Sequence, residues 1–398
     1  MPPAVAVPYV GLMPNHLAQN VMPEPIAALE RVLTSPTLQA GWFADSFLAA
    51  VSLAQVEQIV RGLRASLGTY QGTESKTGGY LVLFERGSLE AQITLNRRGQ
   101  ITGLIFQPPV LSNLSLDEIQ QRWAALPGEV SFLVLQDGAR LVSYQAEQPL
   151  GVGSAFKLIV LQALQRQIEA GQHTWDQVIQ LQLERRSLPS GILQTWPAAA
   201  PVTLQTLATL MISLSDNTAT DALIHLVGQE ALTALSPRNR PFLTTREFFV
   251  LKDPQNLALL ERYRQGDSAE RSQVLTGLAD LLLPDVALFE GAPLALDVEW
   301  FLSADELCEA IASVADLPLM QINPGIADPQ DWAQVAFKGG SESGVLNLTT
   351  YLKAENGIDY CVAATWNNPA GIDETEFMAL YGSAIAALRS PVIEPGVL

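Results

Sequence analysis

The residues best suited to chemistry in this chain are Ser154 and Lys157, which a helix would place one turn apart. Side chains at positions i and i+3 of a helix are neighbours, with about 5–6 Å between their Cβ atoms. A serine hydroxyl becomes an effective nucleophile when an adjacent base accepts its proton. An amine can be that base only in its neutral form, which burial and nearby positive charge both favour. The pair therefore predicts a nucleophilic serine activated by a buried lysine.

Two further motifs follow along the chain, a Ser-Asp-Asn triplet at 215–217 and a Lys-Gly-Gly triplet at 338–340. Each triplet alone has an ordinary structural explanation, because Ser-Asp-Asn suits loops and helix N-caps and Lys-Gly-Gly suits a strand end or a turn. A lone Ser-x-x-Lys is likewise most often a cap followed by a solvated amine. The three motifs together, in this order, match the signature of penicillin-recognising serine enzymes.

The chain therefore resembles that family, and within it the class A serine β-lactamases. The run LMISLSDNTATD at 210–221 is similar to the class A pattern almost letter for letter, and SGILQ at 190–194 precedes it. The resemblance covers about residues 115–390. It implies a β-lactamase-like α/β domain, in which an antiparallel sheet is flanked by helices and joined to an all-helical lobe. The three motifs would lie in the cleft between sheet and lobe.

The resemblance implies catalytic roles for three residues. Ser154 is the nucleophile that forms an acyl-enzyme, Lys157 is the general base or part of the proton relay, and Ser215 passes a proton to the leaving nitrogen. The backbone N–H groups of Ser154 and Ser341 form the oxyanion hole. If Ser154 opens a helix, the free N–H groups and the positive dipole end there would stabilise anionic intermediates.

The resemblance also implies a substrate-binding set. Asn217 hydrogen-bonds the side-chain amide of the substrate, while Lys338 orients Ser215 and helps to bind the substrate carboxylate. The remaining binding residues are Gly339, Gly340 and Ser341. No metal or cofactor is expected, because the chain has three histidines and lacks the Cys-x-x-Cys and His-x-x-x-His spacings that are typical of zinc sites.

Two features depart from the class A pattern. Gly339 stands where the family has threonine or serine, so a donor to the substrate carboxylate is lost, and such a charge-assisted hydrogen bond is worth about 1.5–3 kcal/mol. Ser341 or Ser343 is the candidate replacement. Residues 236–270 contain no Glu-x-x-x-Asn pair, which positions the deacylating water in class A enzymes, and Glu247 is one candidate base. We therefore expect weak recognition of penicillin carboxylates and slow deacylation.

Composition bounds the class of protein. The chain has 398 residues, of which 48% are hydrophobic and 16% charged, so it is globular and long enough for two domains. Its net charge of −18 argues against nucleic acid as a partner, since phosphates require a basic surface. No run of 18 or more apolar residues indicates a membrane span. For Cys308 and Cys361, buried free thiols are the default interpretation, and a disulfide between them is left open.

The pattern along the chain predicts three parts. Residues 1–25 are rich in proline and are expected to form an arm or linker. Residues 26–112 are expected to form a small α+β domain, with helices on a curved antiparallel sheet, and this pattern is similar to the steroid-isomerase-like fold. Its predicted strands run over 80–85, 90–95 and 101–107. Residues 113–398 are expected to form the β-lactamase-like catalytic domain.

The sequence thus predicts a serine hydrolase that acts on β-lactams through Ser154, with weak or slow turnover. The alternatives are an esterase on cephalosporin-type or simple acyl esters, a D,D-peptidase, and a penicillin-binding protein without turnover. The two-domain arrangement is also similar to a lactamase-fold, esterase-like protein of clavulanic acid biosynthesis. The expected partner is a small-molecule β-lactam or acyl ester, and the N-terminal domain is a candidate oligomerisation module. Family habit favours the periplasm or secretion, although no signal peptide is visible, and the cytoplasm is the alternative.

Overall fold

The computed structural model describes residues 25–112, 114–289 and 291–389. The predicted arm over residues 1–25 lies outside the described residues except for Pro25. The chain divides into two compact units. The first contains the described residues up to Glu85 together with Leu89–Gln107, and the second contains Arg86–Ser88 and the described residues from Pro108 onward.

The first unit combines helices with an antiparallel sheet. Its elements are α1 (Pro25–Thr34), α2 (Asp45–Ala50), α3 (Leu53–Leu67), β1 (Tyr70–Lys76), β2 (Gly79–Phe84), β3 (Gly87–Leu95) and β4 (Ile101–Phe106). A capping box starts α3, because Ser52 Oγ accepts from the Gln55 amide while the Gln55 side chain accepts from the Ser52 amide. The strand order is β1-β2-β3-β4. The likeness to the steroid-isomerase-like fold stays a prediction.

Strand β1 is the element of this unit that the sequence pattern did not predict. Its sequence, YQGTESK, is polar and contains a glycine, and none of its residues is fully buried. It pairs with β2 alone and so lies at the edge of the sheet. An edge strand with no buried face lacks the apolar alternation by which strands are recognised, so only its pairing reveals it.

The second unit is built on a five-stranded antiparallel sheet. The strands of the whole unit, including those outside this sheet, are β5 (Val110–Leu111), β6 (Glu129–Gln136), β7 (Ala139–Tyr144), β8 (Leu150–Gly151), β9 (Val178–Gln180), β10 (Pro201–Thr203), β11 (Phe301–Leu302), β12 (Gln334–Glu342), β13 (Val345–Lys353) and β14 (Asp359–Asn367). The central sheet has the order β12-β13-β14-β6-β7, with every neighbouring pair antiparallel. Strand β12 is therefore at one edge. The short strands β8 and β11 pair separately, and β8 ends just before the Ser-x-x-Lys motif.

Helices surround this sheet and form the lobe beside it. They are α4 (Leu116–Ala125), α5 (Lys157–Glu169), α6 (Leu204–Ser213), α7 (Asn217–Leu235), α8 (Thr245–Lys252), α9 (Leu257–Gln265), α10 (Ser268–Gly277), α11 (Ala304–Val314) and α12 (Glu374–Arg389). Capping boxes start α4 at Ser115, α8 at Thr244 and α11 at Ser303. Each satisfies backbone donors that the first turn of a helix leaves without partners.

Both faces of the central sheet are covered, which explains the nearly continuous apolar runs of its strands. Along β14, Cys361 and Ala363 belong to the core shared with α5, α6, α7 and α11. The alternate residues Val362 and Ala364 belong to a second core, which contains residues of α4 and α12. The β-lactamase-like arrangement expected for this part, an antiparallel sheet with helices on both faces and a helical lobe, is observed.

The two cysteines form a disulfide bond, which joins Cys308 of α11 to Cys361 of β14. The default interpretation of two free thiols is therefore wrong. The cysteines lie 53 positions apart, and no spacing pattern in the sequence signals their proximity. They meet because α11 packs on the face of the sheet to which Cys361 points.

Among the helices of the described ranges, none is long and apolar enough to cross a membrane.

Candidate active site

Ser154 lies at the junction between strand β8 and helix α5. It belongs to a single 3₁₀ turn, Gly153–Phe156, which leads directly into α5. The Val152 amide just before it donates to the Trp300 carbonyl at 3.1 Å, so the approach to the turn is anchored. Gly153 has a φ of +47°, a conformation that suits glycine. Ser154 itself is half-buried, so its hydroxyl is accessible while its backbone is held.

Lys157 is the first residue of α5 and is fully buried. Its Nζ lies 2.6 Å from the Ser215 carbonyl oxygen, 2.7 Å from Asn217 Oδ1 and 3.0 Å from Ser215 Oγ. A neutral amine has two N–H donors and one lone pair. The two carbonyl-type oxygens can take both donors of the neutral amine, which leaves its lone pair to accept a proton. Among the described residues, no hydrogen bond joins Lys157 Nζ to Ser154 Oγ.

Burial is the main cause that lowers the pKa of Lys157 well below its usual value, and the charge of Lys338 lowers it further. The carboxylates of Asp221 and Asp216 act in the opposite direction. The net direction favours the neutral amine that a general base requires. Geometry and electrostatics therefore agree that Lys157 can accept a proton in this site.

Ser215 connects the second motif to the third. Its Oγ lies 3.1 Å from Lys338 Nζ, on β12, and Lys338 Nζ also donates to the Gly339 carbonyl. Burial lowers the pKa of Lys338 to about 7. Ser215 has a φ of +56°, a left-handed conformation that is uncommon for residues other than glycine. Such a conformation persists only where the surroundings hold it in place, and here it places the hydroxyl between two amines.

Asp216, the middle residue of the Ser-Asp-Asn motif, fixes the neighbouring loop around Ile192 and Leu193. It is fully buried and caps α7 by accepting from the Ala219 amide at 2.8 Å. Its other oxygen accepts from the Ile192 and Leu193 amides at 2.6 and 2.9 Å. A Cβ at Gly191, whose φ is +99°, would overlap the Asp216 carboxylate. Both residues lie in runs that the sequence singles out, Gly191 in the SGILQ run and Asp216 in the Ser-Asp-Asn motif, but their contact is visible only in the fold.

Asn217 is also largely an interior residue. Its Oδ1 accepts from Lys157, and its Nδ2 donates to the Leu188 carbonyl at 3.1 Å. The side chain is 5% exposed. Asn217 therefore orients the lysine as well as lining the cleft, a role that the implied contact with substrate did not include.

Strand β12 packs directly against the turn that carries Ser154. A Cβ at Gly340 would overlap the Val152 carbonyl and the Ser154 amide, and a Cβ at Gly153 would come within 3.0 Å of the Ser341 amide nitrogen. The amides of Ser154 and Ser341 are thereby brought to neighbouring positions. This is the arrangement that two oxyanion-hole donors need, and it requires the absence of a side chain at Gly340.

The motifs meet in a cleft of about 590 Å³. The predicted site residues that line it are Ser154, Ser215, Asn217, Lys338, Gly339, Gly340 and Ser341. The eighth, Lys157, is enclosed and contacts two of them. One wall is aromatic, with Phe156 stacked on Trp300 at 3.8 Å between ring centroids and Phe248 on the other side of Trp300 at 4.8 Å. Among the described residues, no group of three or more histidine, cysteine, aspartate or glutamate side chains could hold a metal ion.

Two candidates from the sequence have other roles in the structure. Glu247 completes the capping box of α8, since its carboxylate accepts from the Thr244 amide and hydroxyl at 2.7 and 2.9 Å. It is not among the described residues that line the cleft. The Ser343 hydroxyl donates to the Gly291 carbonyl at 2.7 Å, whereas Ser341 is exposed and lines the cleft. Of the two serines considered as replacements for the missing hydroxyl, Ser341 has the suitable position.

Sequence reasoning missed a charged cluster in the wall of the cleft. Glu299 and Glu342 both line the cleft, and Lys252 Nζ lies 3.5 Å from Glu299 Oε1 and 2.7 Å from Glu342 Oε1. The side chains of Lys252 and Glu299 are completely enclosed. No motif marks these residues, because they come from a helix, a loop and a strand that are distant in the chain.

Comparisons with known proteins give a match to one family model over part of the chain. A family model described as Beta-lactamase enzyme family matches residues 116–244, a segment that contains the first two motifs but ends before Lys338. No curated protein matches the chain. The match supports a serine β-lactamase-like family for this protein.

Several solved structures are similar to the chain. The β-lactamase from Sphaerobacter thermophilus has 20% identity and a TM-score of 0.47, covering 71% of this chain and all of its own. The β-lactamase from Desulfarculus baarsii has 17% identity and a TM-score of 0.48, covering 70% of this chain and all of its own. A protein described as PBP-A has 17% identity and a TM-score of 0.45, covering 68% of this chain and 94% of its own.

Proposed function

We propose that this protein is a class A-like serine hydrolase that forms an acyl-enzyme through Ser154 and acts on β-lactams. The observation that carries the proposal is the buried Lys157, hydrogen-bonded to Ser215 and Asn217 within the cleft wall beside Ser154. Lys338, on strand β12, contacts the same Ser215 hydroxyl. Three motifs that are distant in the chain thus form one network around a nucleophile.

In the acylation step, Lys157 accepts the Ser154 proton, and Ser154 Oγ attacks the lactam carbonyl carbon. The backbone amides of Ser154 and Ser341 stabilise the charge that develops on the carbonyl oxygen. The carbon–nitrogen bond then breaks, and the nitrogen receives a proton from Ser215, which regains one from Lys157. Because the Ser215 hydroxyl lies within hydrogen-bond distance of both lysine amines, it is suitably placed for this transfer.

An esterase is the second candidate, and one observation favours it. Gly339 supplies no hydroxyl to a substrate carboxylate, and a Cβ there would already come within 3.1 Å of the Asn347 carbonyl oxygen and about as close to two side chains. A substrate without a carboxylate would not use that hydroxyl, so glycine at position 339 does not weaken its binding. Neutral acyl esters would use the same nucleophile, the same amides and the same relay.

The test is intact-protein mass spectrometry after mixing with benzylpenicillin, a chromogenic cephalosporin or p-nitrophenyl acetate, with hydrolysis followed in parallel. We expect a covalent adduct on the wild type that is absent from Ser154→Ala. Ser272→Ala, on the exposed face of α10, is the matched control and should acylate normally. An adduct that clears with turnover supports a β-lactamase or esterase, according to the substrate.

An adduct that persists without turnover would instead indicate a D,D-peptidase or a penicillin-binding protein without turnover. No adduct with any of the three compounds, or an adduct that survives Ser154→Ala, would overturn the proposal.

We also propose that the protein works in an oxidising compartment, such as the periplasm or the exterior. The disulfide between Cys308 and Cys361 supports this placement, because structural disulfides persist mainly outside the reducing cytosol. Labelling with a thiol reagent after extraction under acid-quenched conditions would test it. Two reactive thiols in protein from the native host would contradict the proposal.

A further inference from the structure

The charged cluster in the cleft wall is placed for chemistry at the acyl-enzyme. It consists of Lys252 at the end of α8, Glu299 before β11, and Glu342 at the end of β12. Lys252 Nζ contacts both carboxyl groups, at 3.5 Å from Glu299 Oε1 and 2.7 Å from Glu342 Oε1, so the two carboxyl groups are neighbours. The side chain of Glu342 is 14% exposed, whereas those of the other two are fully enclosed. Glu342 is therefore the member of the cluster that meets the cleft.

The strand geometry relates Glu342 to the nucleophile. Successive side chains on a strand point to opposite faces, so Lys338, Gly340 and Glu342 share one face of β12. Gly340 lies against the Ser154 amide, and Glu342 follows two residues later, about 7 Å along the strand. The same face thus presents the amine of Lys338 on one side of Ser154 and the carboxyl of Glu342 on the other.

Glu299 lies beside the paired strands β8 and β11, of which β8 leads into the turn that carries Ser154. Its side chain packs on Gly151, where an added Cβ would come within 3.0 Å of Glu299 Cγ. Its Oε2 accepts from the Trp300 amide at 3.2 Å, and the Trp300 carbonyl in turn accepts from the Val152 amide. The cluster is consequently fixed to the backbone that carries Ser154.

The surroundings of Glu342 favour its protonated form. Two adjacent carboxylates cannot both ionise cheaply, so one proton is retained. Burial, followed by the charge of Glu299, raises the pKa of Glu342, while Lys252 opposes that shift. A buried ion pair contributes little to stability, because desolvation offsets its Coulombic attraction. Stability alone therefore gives no reason for three ionisable groups in the wall of a cleft.

We propose that Glu342, supported by Glu299 and Lys252, is the general base that activates water for hydrolysis of the Ser154 acyl-enzyme. This inference rests on the proposed function. Glu342 takes a proton from water while the proton that it already holds passes to Glu299. The water oxygen attacks the ester carbonyl carbon, and the bond from that carbon to Ser154 Oγ breaks. Ser154 Oγ receives a proton from Glu342, which takes back the proton that passed to Glu299, and the product leaves as a carboxylic acid.

Glu342 and Glu299 have different parts in this step. Glu342 is the catalytic residue, because it contacts the reacting water, and Glu299 is a positioning residue that acts through it. Lys252 keeps the pair in place and offsets its charge. The cluster would thereby supply the base that the missing Glu-x-x-x-Asn loop leaves absent, whereas Glu247 is occupied as a helix cap.

The test separates acylation from deacylation in the full-length chain. Rapid-quench mass spectrometry with the chromogenic cephalosporin and with p-nitrophenyl acetate follows adduct formation and adduct decay in Glu342→Gln. We expect adduct formation within about threefold of the wild type, and decay slowed at least about 100-fold, which is the usual contribution of a general base. Normal acylation by the variant would itself demonstrate that it folds.

Glu247→Gln is the matched control, because glutamine keeps the capping box and removes a buried carboxylate that is not part of the cluster. Its decay rate should equal that of the wild type. Glu299→Gln is the second variant, in case Glu342→Gln fails to fold, and it should also slow decay without slowing acylation.

The outcomes distinguish this inference from the proposed function. Wild-type decay in Glu342→Gln and Glu299→Gln would overturn the inference and leave acylation by Ser154 intact. An adduct on the wild type that never decays would also overturn the inference, because no deacylation would then occur, and would leave acylation by Ser154 intact. If the wild type forms no adduct, both the proposed function and this inference fail. Slow decay in Glu247→Gln, with normal decay in Glu342→Gln, would assign the base to Glu247 instead.

Discussion

Lys157 Nζ and Asn217 Oδ1 lie 2.7 Å apart in the buried wall of the cleft, although 60 residues separate them in the chain. This contact means that the amide of Asn217 fixes the lysine before any substrate binds. The neutral oxygen of an amide can accept a hydrogen bond without adding charge. Asparagine is therefore compatible with a lysine that has to stay neutral, and this compatibility leads to the first prediction.

Asn217→Asp should disable acylation at neutral pH, and it also removes the donor to the Leu188 carbonyl. A carboxylate at 2.7 Å would favour the charged amine and raise the pKa of Lys157. The base would then become available only at higher pH, so we expect the acylation rate at pH 7 to fall at least about tenfold and to recover as pH increases. Lys338, Asp216 and Asp221 also influence Lys157 and are unchanged. An acylation profile that superimposes on that of the wild type would contradict Lys157 as the base.

Gly340→Ala should impair acylation more than its size suggests. The added methyl group would overlap the Val152 carbonyl and the Ser154 amide, so β12 or the nucleophile turn has to move. A displacement of about 1 Å at a reacting centre can reduce a rate on the order of 100-fold. Adduct formation measured by mass spectrometry checks this expectation. Gly277→Ala, where a Cβ meets nothing within 4 Å, is the control, and equal rates in the two variants would refute the argument.

Lys338 predicts a pH dependence that differs between anionic and neutral substrates. Burial lowers the pKa of Lys338 to about 7, so the amine is charged below that pH and neutral above it. A charged lysine attracts a substrate carboxylate, and kcat/KM for a cephalosporin should therefore fall as pH rises through about 7. For p-nitrophenyl acetate, which has no carboxylate, no such fall is expected. Parallel profiles for the two substrates would argue against Lys338 as the carboxylate ligand.

The disulfide predicts a measurable loss of stability on reduction. Cys308 and Cys361 are 53 positions apart, and a cross-link over a loop of this length restricts the unfolded chain by about 2–4 kcal/mol. The double variant Cys308→Ser and Cys361→Ser should lower the free energy of unfolding by about that amount in urea titrations. Reduced wild type should behave in the same way as the double variant. A change of less than about 0.5 kcal/mol would contradict a structural role.

The motifs of the candidate site could be located from the sequence because their residue types lie close together in the chain. Ser154 and Lys157 fall within one helical turn, and Ser215 to Asn217 form a continuous triplet, so residue type and order alone single them out. The strands of the central sheet could also be predicted from the sequence, because both faces of the sheet are buried and the apolar runs of its strands are long. Strand β1 was not, because an exposed edge strand has no apolar pattern to detect.

The sequence by itself predicted which side chains are candidates for the acylation chemistry and which segments build the sheet. Tertiary structure alone decided that Lys157 meets Asn217, that Cys308 meets Cys361, and that Lys252 meets Glu342 across 90 positions of the chain. It also decided that, among the described residues, Glu299 and Glu342 line the cleft and Glu247 does not. The physical reason is that burial and proximity, which set pKa values and hydrogen-bond partners, arise from packing between distant segments and leave no periodic trace in any one of them.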